Sequence, residues 1–440
     1  MGVKKMQFTN SKTLQRKSHA LIPGGAHTYA KGDDQYPEQA PGFICRGEGS
    51  HVWDVDDNEF IEYGMGLRAV TLGHAYRPVM EAAWRQMQCG NNFTRPAPIE
   101  VECAEQFLGL IQGAEMVKFA KNGSDATTAA IKLARAFTGR DLVAVCADHP
   151  FFSVDDWFIG STAMAAGIPQ TTRQGTLKFR YNNLASVEAL FAQHPNQIAC
   201  LIMEAETGEP PADNFLHEAK RLCHQHGALF VLDEIITGFR WHERGAQHCY
   251  DIQPDLSTFG KAMGNGFSVA ALAGKREIME LGGLYHNKER VFLLSTTYGA
   301  ETFTLAAAMA TMKVYQQEPV VEHLHRQGEK LKQGLTQAAA ALGLQDYFQV
   351  LGRPCNLVYA TRDAAKERSQ PFRTLFLQET IKRGLLMPSL VVSYAHSDAD
   401  IQQTIDAIAD ALVVYGQALE EGIEHYLVGR SVAPVFRQYN

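Results

Sequence analysis

Between about residues 116 and 275, short apolar runs alternate with helical patterns: "MVKFA", "DLVAVCA", "ACLIMEA", "ALFVLDEI" and "SVAALAG". Nearly continuous apolar strands separated by helices predict an α/β sheet, buried on both faces and mostly parallel. The segment "FLHEAKRLCHQHG" shows how the connections are made. Phe215, Leu216, Ala219 and Leu222 share one face, and Gly227 stands where a helix cap belongs. Residues 20 to 50 are rich in Gly, Pro and polar side chains and read as irregular. The last third changes character, with amphipathic helices predicted around 320–342 and 398–416. In the second of these, Ile401, Ile405, Ile408 and Leu412 form one stripe. The expected organisation is a large central domain over 71–315 and a smaller α+β domain built from both chain ends, 1–70 and 316–440.

At 440 residues, 45% hydrophobic and 20% charged, the chain is long enough for two such domains. A net charge of −7 gives no electrostatic reason to expect nucleic acid or an anionic membrane as partner. Eight cysteines are scattered without a C-x-x-C, and Cys146 and Cys200 lie in apolar runs, so reduced thiols are expected. "MGVKKMQFTNSK" carries no apolar leader, and Met6 stands where myristoylation wants Ser or Thr. No apolar run reaches the length of a membrane span, and a cytoplasmic enzyme is expected.

Three segments carry chemistry. In "ALFVLDEIITGFR", Asp233 stands at the C-terminal end of an apolar strand, where open α/β sheets bind ligands. A carboxylate buried there needs a cationic partner. "STFGKAMGNG" supplies one in Lys261, set among glycines and small residues. The pair could form a plain ion pair; alternatively, Asp233 faces a heteroaromatic nitrogen while Lys261 forms an imine with the same ligand. In "VKFAKNGSDATTAAIKLARAFTG" a strand runs through Asn122-Gly123-Ser124 into a helix. Free amides at a helix start, a glycine and a hydroxyl form a phosphate site. It is neither a Walker loop nor a dinucleotide fingerprint, and "GNGFSV" has Val269 in place of a third glycine. A phosphate cradle, an acceptor for a pyridinium and an imine-forming lysine together fit pyridoxal 5′-phosphate.

"LDEIITGFR", "PDLSTFGKAMGNG" and "NGSDAT" resemble signature segments of the class III pyridoxal-phosphate aminotransferases of fold type I. "IPGG" at 22–25, "WDVDDNEFIEY" at 53–63, "LGHAY" at 72–76 and "YAHSDADI" at 394–401 resemble the glutamate-1-semialdehyde 2,1-aminomutase branch. The resemblance spans roughly residues 20 to 415. It implies that Lys261 is the Schiff-base lysine and general acid–base, and that Asp233 keeps the ring nitrogen protonated. It further implies that Gly123 and Ser124 hold the phosphate and that Ile235 lies under the ring. Thr297, in "LLSTTYGAET", is implied to reach the phosphate of a neighbouring subunit, and hence a homodimer.

The sequence also departs from that branch. Its usual Tyr-His-Gly is replaced by "DHPFFSVDDWFIG", which puts Phe151 in the stacking position without a hydroxyl. "PGGAHTYAKGDD" places Lys31 where the aminomutase has a carboxylate-gripping arginine, and a lysine offers a point charge instead of a planar fork. "GMGLRAVTLGHAY" carries Arg68 where that branch has a small residue, as an anion clamp or a surface arginine. "TTYGAET" replaces "TLSGNP", directing Glu301 toward the active site. With His27, these residues suit a hydroxylated or anionic carbonyl compound. The expectation is an aminotransferase moving an amino group from an amino-acid donor, L-glutamate, to a sugar-like or polyol-derived ketone or aldehyde. The alternatives within the cofactor class are the 2,1-aminomutase or an amino-acid racemase; outside it, a nicotinamide-dependent oxidoreductase, or a pyridoxal-binding protein without turnover. No metal is expected, because "CHQHG" at 223–227 and "HLH" at 323–325 read as solvent-facing helical residues.

Overall fold

A computed structural model describes residues 6–439. The stretch Met1–Lys5, part of the terminus expected to carry no leader, lies outside the described residues. The described residues form two compact units, one of residues 77–321 and one of residues 6–76 with 322–437.

The larger unit is built on a seven-stranded sheet. Its strands are β1 (Met116–Ala120), β2 (Leu142–Cys146), β3 (Thr176–Phe179), β4 (Ile198–Glu204), β5 (Leu229–Glu234), β6 (Leu256–Phe259) and β7 (Ala270–Gly274). Their order across the sheet is β1-β7-β6-β5-β4-β2-β3. Neighbours from β6 to β3 pair in parallel, and only β7 runs antiparallel, to both β6 and β1. The fold is therefore α/β with a mostly parallel sheet. Every residue of β4, β5 and β7 is buried, as expected of strands covered by helices on both faces. The covering helices include α1 (Gly123–Thr138) and α2 (Phe215–Gln225), while α3 (Thr302–Gln317) packs against the turn that follows β6. Helix α2 buries Phe215, Leu216, Ala219 and Leu222, the stripe read from the sequence, and Gly227 follows it at φ +67.

One detail differs from the sequence reading. Cys223 is fully buried on α2, whereas His224, Gln225, His226 and Gly227 are exposed, so the solvent-facing reading of "CHQHG" fails only at its first residue. The apolar stripe of α2 is wide enough to include Cys223, and the exposed His224 bonds the buried Asp255 carboxylate at 2.8 Å. His323 likewise bonds the His396 carbonyl at 3.0 Å.

In the smaller unit, the strands Ile44–Glu48, His51–Asp54, Glu59–Glu62 and Leu385–Leu386 form a sheet. The helices Val320–Ala341 and Asp398–Glu421 are long and amphipathic, with Leu324, Leu331 and Leu335 buried on the first and Ile401, Ile408 and Leu412 on the second. Ser397 and Asp400 close a reciprocal capping box at the start of the second. Met65, Gly66, Leu67 and Arg68 all adopt left-handed backbone, with φ of +42, +59, +59 and +70. Each non-glycine residue held this way costs roughly 1–2 kcal/mol.

None of the eight cysteines is joined in a disulfide. Among the described residues no helix is long and apolar enough to cross a membrane.

Candidate active site

Asp233 is the penultimate residue of β5, and Thr258 of the neighbouring strand β6 is its cross-strand partner. The Thr258 hydroxyl donates to Asp233 Oδ1 at 3.0 Å, and the Ile235 amide donates to the same oxygen at 2.9 Å. The side chain is almost fully buried. Burial pushes its pKa up to about 6, against the pull of those two hydrogen bonds and of the Lys261 charge. The two residues singled out in the sequence therefore act on each other electrostatically at one end of the sheet.

Lys261 opens a single 3-10 turn directly after β6, with its own backbone at φ +43. The small residues around it have a steric cause. A Cβ on Gly260 would lie 3.2 Å from the Ile235 side chain, and one on Gly123 3.1 Å from the same side chain. Ile235 is thus seated between the root of the lysine turn and the start of α1, where only glycine leaves room.

The strand β1 ends at Ala120, and α1 begins at Gly123 with Asn122 as its cap, the Asn122 side chain accepting from the Asp125 amide at 3.0 Å. The first amides of α1, those of Gly123 and Ser124, have no intrahelical acceptor. Ser124 is buried, and its hydroxyl accepts from the Val154 amide at 3.0 Å. Thr127 donates to the Phe152 carbonyl at 2.8 Å, and Thr128 bonds Ser153 and Asp155. These bonds fasten residues 152–155 to α1. They leave Phe151 42% exposed, edge-on to Phe158, while Phe152 is buried.

Glu234, next to Asp233, is fully buried and accepts from the amides of Ala246 and Gln247 at 2.8 and 2.7 Å and from the Thr237 hydroxyl. Burial pushes its pKa up to about 7 despite those donors. Its carboxylate fixes the turn that follows Asp233. Glu234→Ala would strand two buried amides, and urea denaturation is expected to register a loss of about 2–5 kcal/mol.

Thr297 lies in an exposed segment, its carbonyl accepting from Asn92 Nδ2 at 3.1 Å. Glu301, the residue before α3, has its carboxylate held by Lys121 Nζ at 2.5 Å. Lys31 and Arg68 belong to the smaller unit. Lys31 borders a cleft of about 460 Å³, whose lining includes His27, Tyr36, Leu67 and a Glu62–His74 pair at 2.6 Å. Burial and the Glu62 carboxylate hold the Tyr36 hydroxyl above the usual phenol range. Arg68 donates to the buried Asn356 Oδ1 at 3.1 Å.

The sequence reading overlooked Thr258, Glu234 and Lys121. Thr258 carried a signal, since it stands three residues before Lys261 in the segment that returns to the sheet beside Asp233.

The sequence profile described as Aminotransferase class-III matches residues 34–412. The chain belongs to this family. As a class-III aminotransferase it is 31% identical over 430 residues to the glutamate-1-semialdehyde 2,1-aminomutase of Desulforamulus reducens, covering 92% of this chain and 98% of the relative. It is 32% identical to the enzyme of that name from Anaeromyxobacter sp., covering 91% and 97%. Among solved structures it is similar to the FumI protein of Sphingopyxis sp. MTA144 in its PLP internal aldimine form. The TM-score is 0.85 at 27% identity, over 94% of this chain and 98% of that one. The glutamate-1-semialdehyde aminomutase of Pseudomonas aeruginosa shares the fold, with a TM-score of 0.80 at 19% identity over 92% and 94% of the two chains. This class-III aminotransferase is accordingly a fold-type I enzyme.

Proposed function

We propose that this class-III aminotransferase moves an amino group from an amino-acid donor, L-glutamate, to the ketone or aldehyde carbon of a hydroxylated or anionic acceptor of sugar-like or polyol-derived character. The cofactor is pyridoxal 5′-phosphate. The observation that carries the chemistry is the buried Asp233 carboxylate, anchored by Thr258 and Ile235 and sensing the Lys261 charge.

The residues present fit the cofactor. The unpaired first amides of α1, at Gly123 and Ser124, suit a phosphate dianion. The space kept open by Gly123 and Gly260 around Ile235 suits one face of a flat ring, and the exposed Phe151 is assigned to the other. When bound, the cofactor supplies an aldehyde that condenses with amines and a ring that withdraws electron density. Asp233 holds a proton on the ring nitrogen, which a buried carboxylate favours by forming an ion pair. Lys261 anchors the cofactor, and its Nζ, once free, takes the proton from the amine-bearing carbon of the substrate. Thr297 is assigned to the phosphate of a second copy, so a homodimer is part of this reading. The exposed Phe292 and Tyr298 flanking Thr297 support it, since large aromatics on one segment suit burial against a partner.

Lys31 and Arg68 are assigned to the substrate. The cleft beside Lys31 supports a hydroxylated or anionic ligand through Lys31, His27, Tyr36 and the Glu62–His74 pair, which set donors and acceptors among apolar residues such as Phe43, Ile44 and Leu67.

The names of the relatives favour a second reading, a 2,1-aminomutase that retains its amino group throughout. Incubation with L-glutamate labelled with ¹⁵N separates the two. Transfer predicts conversion of the bound cofactor to its amine form, release of 2-oxoglutarate and label on the cofactor. A cofactor that glutamate leaves unchanged would defeat the donor assignment and favour the mutase.

A further inference from the structure

Lys121 lies between β1 and α1 and makes three different connections. Its amide donates to Asp125 Oδ2, in the first turn of α1, at 3.2 Å. Its carbonyl accepts from the Ser268 hydroxyl at 2.6 Å, in the loop that leaves the Lys261 turn toward β7. Its ammonium meets Glu301 at 2.5 Å, at the end of the segment that carries Thr297. Both charged side chains are only about one-fifth exposed, at 19% and 21%, so the pair is shielded from much of the solvent screening that weakens surface ion pairs. Glu301 is also the residue from which α3 departs. The next residue, Thr302, is tied by amide and hydroxyl to the carbonyls of Asn91 and Gly90.

From these contacts we infer that Lys121 and Glu301 are cofactor-positioning residues: their ion pair locks the phosphate turn, the Lys261 loop and the Thr297 segment into one frame. Glu301 then acts through Lys121, and its carboxylate is engaged with that lysine instead of facing substrate. The inference rests on the cofactor reading given above. A frame of this kind raises cofactor affinity without touching the cofactor, because the phosphate turn and the Lys261 loop of one copy, and the Thr297 segment it lends to the second, are already in register and lose less freedom on binding.

A bare charge effect makes the opposite forecast. Lys121 lies two residues before the phosphate turn, so freeing its charge by Glu301→Gln would strengthen the local attraction for a phosphate, and removing it by Lys121→Met would weaken it. A positioning role moves both variants the same way.

The test is titration of the apo protein with pyridoxal 5′-phosphate, followed by absorbance, for the wild type, E301Q, K121M and the double variant. Each single variant is expected to weaken binding by roughly three- to tenfold, and the double variant by no more than the worse single one, because both remove the same lock. K121R, which keeps the ion pair, should bind close to the wild-type level. The apo melting temperatures, measured alongside, should move little. If a truncated variant fails to fold, the reversed pair K121E/E301K substitutes for it and should bind more tightly than K121E alone. Opposite shifts in the two single variants, additive losses or unchanged affinity would overturn the inference while leaving the cofactor reading intact. Failure of the wild type to bind the cofactor would overturn both.

Discussion

Lys261→Ala is expected to yield a folded protein whose turnover is lower by about 10⁴-fold or more, because the role we propose for this one side chain is both anchor and base. The residue sits at φ +43 at the opening of a short turn, and alanine is held in the same unfavourable backbone as lysine. Melting temperatures of variant and wild type without cofactor should therefore be similar. Lys261→Arg should not restore turnover, since a guanidinium stays protonated and cannot serve as a base at neutral pH. The measurement is single-turnover amine transfer with saturating donor. A Lys261→Ala protein retaining more than a few per cent of the wild-type rate would remove Lys261 from the chemistry.

Asp233→Asn should separate activity from stability. Amine transfer is expected to fall by roughly 10²- to 10³-fold, since a neutral amide cannot stabilise a protonated ring nitrogen. Stability of the apo protein should change in the opposite sense. The folded-state pKa of Asp233 is raised from 3.8 to about 6, so the folded chain holds this proton at a higher pH than the unfolded chain does. For this group, folding is then most favoured at low pH, and that advantage is lost as pH rises through about 6. Asparagine does not ionise. The variant should therefore gain on the wild type above pH 6, and the gain should shrink as pH falls toward 4. Paired denaturation curves at pH 5 and pH 8 test it, and a variant less stable than wild type at pH 8 would contradict the assignment of burial as the dominant influence.

The sequence made some of this legible and hid the rest for identifiable reasons. β2, β4, β5 and β7 announce themselves as apolar runs because helices cover both of their faces, and β1, a part-buried edge strand, is read from Met116, Val117 and Phe119. β6 does not, because Ser257 and Thr258 break its pattern, although both are buried. Thr258 is polar because Asp233 needs a donor, so the residue that serves the site is also the one that conceals the strand. β3 escapes notice as a partly buried edge strand. Asp233, Lys261 and the Asn122-Gly123-Ser124 turn were readable because their chemistry imposes residue types at fixed places in strand–turn–helix units. Glu234 and Lys121 were not, because a buried cap and a long-range ion pair depend on which distant segments the fold brings near. Lys121 and Glu301 are 180 positions apart, and no local pattern links them.

The left-handed turn from Met65 to Arg68 bears on how this enzyme could be changed. Glycine is the residue that such backbone tolerates best, yet three of its four positions keep side chains. Glycine at 65, 67 or 68 relieves local strain at the expense of whatever the side chain does. Leu67 borders the same cleft as Lys31, and Arg68 reaches Asn356. A randomised library aimed at altered acceptor range should therefore concentrate on positions 31, 67 and 68. At 67 and 68 a replacement meets the same left-handed backbone that the parent side chain already bears, so substitution there adds no new cost of that kind.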